Sequence, residues 1–170
     1  GFDHINMVEA KKRGIIVCNV PTYGENTVAE HTFGLILNLS RQIYKSIQNV
    51  REKGFIPDGL QGFDLKEKTI GIVGIGHIGS HVARIARGFE MKVLVYDINQ
   101  DKKLAKQFGF KYVLLEELLK NSDIITLHVP LNEHTKHLIN SSNIKLIKRG
   151  AYLINTARGE IIETAALVMA

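Results

Sequence analysis

Thr69-Ile70-Gly71-Ile72-Val73-Gly74-Ile75-Gly76-His77-Ile78-Gly79 is the stretch that decides the fold. A short apolar run leads into G-x-G-x-x-G, and Ile78, Val82, Ile85 and Ala86 then recur at helical spacing until Gly88. The order is strand, glycine turn, helix. The glycine pattern alone is a weak signal, and its context strengthens it: a second apolar run, Lys92 to Tyr96, closes on Asp97, at about the spacing of ~20 residues at which an acidic residue meets a ribose. Each part has a physical task. Gly74 permits the tight turn, Gly76 lets a pyrophosphate approach the backbone, and Gly79 lets helix and strand pack closely. The helix start offers free amides and partial positive charge. Asp97 accepts from both hydroxyls of an adenine ribose, whereas a 2′-phosphate would meet its carboxylate, and Ile98-Asn99-Gln100 offers no Arg to receive one. The pattern therefore predicts a site for NAD rather than NADP.

Outward from this turn, strands and helices alternate, as in a parallel sheet covered on both faces. Strands are expected at 69–73, 92–96, 111–113, 124–128 and 152–155, with short helices at 116–120 and 143–148. The fold class is α/β, a doubly wound parallel sheet of Rossmann type. Glu163 to Ala170 reads as a helix just begun, so the sheet is expected to be incomplete on its C-terminal side, with Tyr152 to Ile154 at an uncovered edge. Upstream, a helix ends at Gly14, and Ile15 to Val20 reads as a buried strand stopped by Pro21. Thr27 and Glu30 form a capping-box pair, and apolar spacing from Ala29 to Val50 predicts one long amphipathic helix down to Gly54. Residues 54–68 read as a loop.

Composition narrows the function classes. The chain has 170 residues, 45% apolar and 23% charged, which suits one globular domain and a scrap of another. No run approaches the roughly 18 apolar residues of a membrane span. The formal charge of +5 is scattered, as at Lys11-Lys12-Arg13 and Lys102-Lys103, so nucleic acid binding is not expected. The start, Gly1-Phe2-Asp3-His4, has no signal-peptide layout, and the single Cys18 forms no internal disulfide, which together predict a cytoplasmic location. His77 and His81 have metal-ligand spacing without the Glu of H-E-x-x-H or an evident third ligand, and His134 with His137 reads as a surface pair. No metal is expected.

Two further turns lie at carboxyl ends of strands, the edge where such sheets bind ligands: His128-Val129-Pro130, and Thr156-Ala157-Arg158-Gly159. Arg158 has a planar fork able to grip a carboxylate with two parallel bonds. Taken together, Gly1-Phe2-Asp3-His4-Ile5, Val28-Ala29-Glu30, the glycine turn with Tyr96-Asp97, His128-Val129-Pro130-Leu131 and Tyr152 through Gly159 resemble the D-isomer-specific 2-hydroxyacid dehydrogenases over essentially the whole chain. The D-lactate dehydrogenase branch is the nearest in texture.

The resemblance implies a dimeric enzyme whose Rossmann NAD-binding domain is inserted in a smaller, flavodoxin-like substrate domain, with the active site between them. On that map residues 1–22 are a remnant of the substrate domain and 23–170 the truncated NAD-binding domain. The long helix from Thr27 then lies near the domain junction and the dimer contact. Gly74, Gly76, His77, Ile78, Gly79, Asp97, His128, Val129, Pro130, Thr135, Thr156, Ala157 and Arg158 would line the cofactor site, and Arg158 matches the catalytic Arg. The family's catalytic Glu and His are expected beyond Ala170. The implied reaction moves hydride between NAD(H) and C2 of a small D-2-hydroxy acid or 2-keto acid, D-lactate and pyruvate first, with this segment alone inactive. Phosphoglycerate, glyoxylate or hydroxypyruvate are alternative substrates, and a non-enzymatic, NAD-sensing corepressor is a rival of another class. A third reading makes the segment a folding and dimerisation scaffold.

Overall fold

The computed structural model describes residues 4–20 and 22–170; the motif residues Gly1, Phe2 and Asp3, and the Pro21 strand stop, lie outside them. Four apolar runs and the short Lys111-Tyr112 pair become five parallel strands: β1 Thr69–Val73, β2 Lys92–Tyr96, β3 Lys111–Tyr112, β4 Ile124–Leu127 and β5 Tyr152–Asn155. Their order in the sheet is β3-β2-β1-β4-β5, so the chain winds outward from β1 in both directions. Register runs from Thr69 opposite Lys92 on one side, and from Ile70 opposite Ile124 on the other. Strands β3 and β4 each end one residue before the expected boundary. As expected, β5 is an edge strand, paired with β4 alone among the described residues.

Alternation along the strands sends side chains into two cores. On one face Ile70, Ile72, Val93, Val95, Ile124 and Ile154 meet α2 (Glu25–Ser40) and α4 (His77–Gly88) through Ala29, Phe33, Ile36, Val82, Ala83 and Ala86. On the other, Val73, Ile125 and Leu127 meet Leu118 and Leu119 of α6 (Leu115–Asn121) and Ala166 of α7 (Thr164–Met169). A β-strand places successive side chains on opposite faces, so apolar runs without polar alternation suit a sheet covered twice. At the amino-terminal edge the Asp123 carboxylate accepts from Thr69 N at 2.8 Å and Lys148 Nζ at 2.6 Å. Partial burial acts to raise its pKa, but the hydrogen bonds from Lys148 and Thr69 outweigh burial and hold it below the usual value.

Four local expectations need correction. Residues 15–20 form no strand: Ile16 is 87% exposed, and no described strand lies alongside to complete a backbone ladder. The preceding helix, α1 (Met7–Lys12), is present and capped by Asn6, whose side chain accepts from Glu9 N. Helix α2 starts at Glu25 behind Gly24, ahead of the Thr27–Glu30 pair, and has no side-chain cap. The single long helix is two, α2 and α3 (Ile43–Lys53), broken where Gln42 turns left-handed at φ 56°. At the break, Phe63 N takes the Ser40 carbonyl and the Asn38 side chain takes Tyr44 N, so the bond that would continue the helix has lost both partners. The helix expected at 143–148 shrinks to a 3-10 turn, Ile144–Leu146. One helix was not anticipated: α5 (Lys102–Phe108), capped by Asp101, which accepts from Lys103 N and Leu104 N.

Candidate functional site

The carboxyl ends of β1, β2, β4 and β5 meet along one edge, and the turns that leave them form the site. Gly74 sits at φ +93°, where an L side chain is strained, and a Cβ there would lie 2.8–2.9 Å from Val129 Cγ1 and the His128 carbonyl. The turns after β1 and β4 are therefore in contact. At Gly79 a Cβ would stand 2.1 Å from the Gly74 carbonyl oxygen, so helix α4 can approach its own turn only without a side chain. Gly76 differs from both. It is exposed, and a Cβ there would meet nothing within 4 Å. The open space lies over the first turn of α4, which has no side-chain cap, so its amides are available to an anion.

Asp97 closes this turn from the end of β2. Its Oδ2 accepts from Ile75 N and its Oδ1 from Asn99 N, both at 2.8 Å. Each oxygen keeps lone-pair capacity for a ribose hydroxyl. The carboxylate thus has a second task that sequence reading did not assign: it clamps the glycine turn. Ile78 is half-buried beneath, and Ser80 Oγ donates to Ile75 O at 3.0 Å. His77 is exposed on the first turn of α4, with Nδ1 3.2 Å from Glu25 Oε1, and His81 Nε2 lies 3.7 Å from Glu25 Oε2. Sequence reading missed Glu25, whose only signal is an acidic residue in the first turn of α2.

On the β4 side, the His128 ring turns down the sheet face, with Nε2 2.9 Å from Oγ1 of the fully buried Thr126. Burial lowers the His128 pKa to about 4, so the imidazole is neutral near pH 7. Pro130 is exposed and Val129 half-buried against Gly74. Thr135 folds back into its own loop, where its hydroxyl bonds Pro130 O and accepts from Asn132 N at 2.8 Å. It shapes the 130–135 loop, and its hydroxyl is engaged there.

After β5, the Asn155 side chain braces the next turn, accepting from Ala157 N at 3.0 Å and donating to Arg158 O at 2.7 Å. Arg158 is half-buried, and its Nη1 donates to Ala157 O at 3.0 Å. Thr156 Oγ1 lies 3.2 Å from Oγ1 of Thr32, which joins this turn to α2. Thr32 was also missed; its signal is a lone polar residue among the apolar positions Ala29, Phe33 and Ile36. The structure brings Gly74, Gly76, His77, Gly79, Asp97, Val129, Thr156 and Arg158 to a single edge. The donor set fits a dinucleotide: open amides for phosphates, a carboxylate beside them for a ribose, and a cationic fork beyond. Among the described residues no group of three or more His, Cys, Asp or Glu is placed to hold a metal.

Comparison with known proteins agrees with this reading. Residues 33–170 match the family model "D-isomer specific 2-hydroxyacid dehydrogenase, NAD binding domain". A 2-hydroxyacid dehydrogenase homolog of Zymomonas mobilis is 42% identical over 99% of this chain and 51% of its own length. A glyoxylate reductase of Pyrococcus furiosus is 42% identical over 100% of this chain and 53% of its own. The D-lactate dehydrogenase of Aquifex aeolicus, solved with NAD and lactic acid, is 45% identical with a TM-score of 0.91, covering 100% of this chain and 51% of that one. The chain spans about half the length of the curated relatives it matches.

Proposed function

Because this chain belongs to the D-isomer-specific 2-hydroxyacid dehydrogenase family, of which it carries the NAD-binding domain, we propose that it is the cofactor-holding half of an enzyme that interconverts a D-2-hydroxy acid and its 2-keto acid. Pyruvate and D-lactate are the first substrate pair. The observation that carries this reading is the meeting of the glycine turn with the turn after β4, where Gly74 packs on His128 and Val129, beside the turn that leaves the neighbouring strand β5. Arg158 stands on the last of these turns.

Bound NAD supplies the hydride acceptor at its nicotinamide ring. The chain's own residues bind and orient. Amides at Gly76, His77 and Ile78 hold the pyrophosphate, Asp97 selects a free ribose 2′-hydroxyl, and Val129, Pro130 and the Thr135-shaped loop border the adenine side. Thr156 and Ala157 border the other half. Arg158 grips the substrate carboxylate with two parallel bonds and so fixes the neighbouring carbon for hydride transfer. Residues 1–22 belong to the substrate domain and 23–170 to the cofactor domain in this reading.

A chimera in which this chain replaces the matching half of the Aquifex aeolicus dehydrogenase tests the assignment. Pyruvate reduction by NADH should persist and fall about a hundredfold or more with Arg158→Gln, the loss of a charge-assisted pair. Turnover indifferent to Arg158→Gln would overturn the role. The isolated chain mixed with NAD and D-lactate should form no NADH. Glyoxylate is the second reading, favoured by the reductase among the relatives, and the matching chimera with that enzyme compares the two. A cytoplasmic homodimer completes the proposal. Support for the dimer comes from α3, where Ser46 and Asn49 are the half-buried positions while Ile43, Ile47 and Val50 are 44–52% exposed. An apolar stripe facing outward suits a second copy.

A further inference from the structure

Thr32 is fully buried on α2, and its Oγ1 lies 2.8 Å from the Val28 carbonyl and 3.2 Å from Thr156 Oγ1. A carbonyl oxygen only accepts, so the single Thr32 hydroxyl proton goes to Val28. In the Thr32–Thr156 pair the donor must then be Thr156. Its one proton committed inward, Thr156 presents only lone pairs on its open side, and the turn after β5 offers a ligand an acceptor and no hydroxyl donor. The role of that acceptor rests on the cofactor reading above. There the glycine turn after β1 holds the pyrophosphate and Asp97 after β2 the adenine ribose. In the order β3-β2-β1-β4-β5, strands β4 and β5 lie on the opposite side of β1 from β2. The nicotinamide half of the dinucleotide therefore lies toward β5, the strand on that side farthest from β2. The ring's only hydrogen-bond donor is its carboxamide N–H2.

We propose that Thr32 is a positioning residue for the cofactor: by accepting the Thr156 proton it fixes that hydroxyl as an acceptor for the nicotinamide carboxamide, and so selects an amide at that position. Replacing Thr32 by Val keeps the shape and removes the acceptor, which frees the Thr156 proton to turn outward. Ser in its place keeps the hydroxyl chain.

The test is calorimetric titration of this chain, and of Thr32→Val and Thr32→Ser, with three ligands: NAD, 3-acetylpyridine adenine dinucleotide, whose methyl replaces the amide NH2, and ADP-ribose, which lacks the ring. Wild type should prefer NAD over the acetyl analogue about three- to tenfold, the worth of one neutral hydrogen bond. Thr32→Ser should keep that preference, Thr32→Val should bring it near unity, and ADP-ribose affinity should not move in either variant. A melting curve on each variant confirms that a folded chain is being titrated. If wild type binds both dinucleotides equally, the inference fails while ADP-ribose binding leaves the cofactor site standing. Full preference retained in Thr32→Val would also overturn it. Folded wild type that binds none of the three would remove the cofactor reading itself.

Discussion

Gly76→Ala separates folding from binding at the glycine turn. The residue has φ −62° and ψ −161°, extended backbone that alanine adopts freely, and its Cβ would meet nothing within 4 Å. The folded state therefore loses nothing, while the unfolded chain loses freedom, a gain of about 0.4–1 kcal/mol. For a chain of this size that corresponds to a melting temperature about 1–4 °C higher. The methyl group stands in the open space through which a phosphate must reach the amides of α4. Loss of one charge-assisted hydrogen bond costs about 1.5–3 kcal/mol, or a Kd raised roughly tenfold to a hundredfold. Thermal unfolding by circular dichroism and calorimetric titration with NAD read the two effects separately. A variant that melts at or above wild type and binds NAD within twofold of it would refute the assignment of this space to the cofactor phosphates.

Three other perturbations test different parts of the account. Gly79→Ala places a Cβ 2.1 Å from a backbone oxygen, which cannot rotate away, so it should destabilise by about 3 kcal/mol and lower the melting temperature by several degrees, and an unchanged melt would contradict the packing. His128 titrates near pH 4 in the folded chain and near 6.5 when unfolded, so the unfolded state binds the proton first and stability should fall by on the order of 2–3 kcal/mol as pH drops from 6.5 to 4. Urea unfolding of His128→Gln should lack that slope, whereas Asp123→Asn should be less stable than wild type above about pH 3.8 and lack the wild type's further loss below it, because the Asp123 pKa is lowered on folding and its contribution disappears as pH falls through the folded value. Ile47→Glu lies on the exposed stripe of α3, so sedimentation should report a monomer where wild type is a dimer, with the melt of the monomer itself undisturbed; a wild type that sediments as a monomer at high concentration would dispose of the dimer.

The strands were legible because a doubly covered parallel sheet demands uninterrupted apolar runs, and only runs that find neighbours become strands. Ile15 to Val20 has such a run and, among the described residues, no neighbouring strand, a fact that no local pattern contains. The break between α2 and α3 was equally hidden: apolar spacing continues across it, and the cause is Phe63, distant in sequence, taking the Ser40 carbonyl. Helix α5 was legible in principle, from Asp101 as cap and Gly109 as stop, but its lysine pair, Lys102-Lys103, also fits a solvated surface segment. At the candidate site, the glycine turn could be read directly, since the tight turn at Gly74 and the close approach at Gly79 each require glycine. Glu25 and Thr32 could not, because their partners, His77 and Thr156, belong to other elements.

The edge formed by Gly74, Gly76, Gly79 and Asp97 is the proposed site for NAD. Substituting Asp97 is a poor direct test, because its carboxylate also holds Ile75 N and Asn99 N and its loss would loosen the turn. Changing the ligand leaves the protein intact. The decisive measurement is calorimetric titration of the unmodified chain with NAD and then with NADP, which places a 2′-phosphate against that carboxylate. One NAD per chain should bind saturably and NADP at least tenfold more weakly, the cost of opposing like charges at a shared site. A folded chain that binds neither nucleotide, or binds NADP as tightly as NAD, would contradict that assignment.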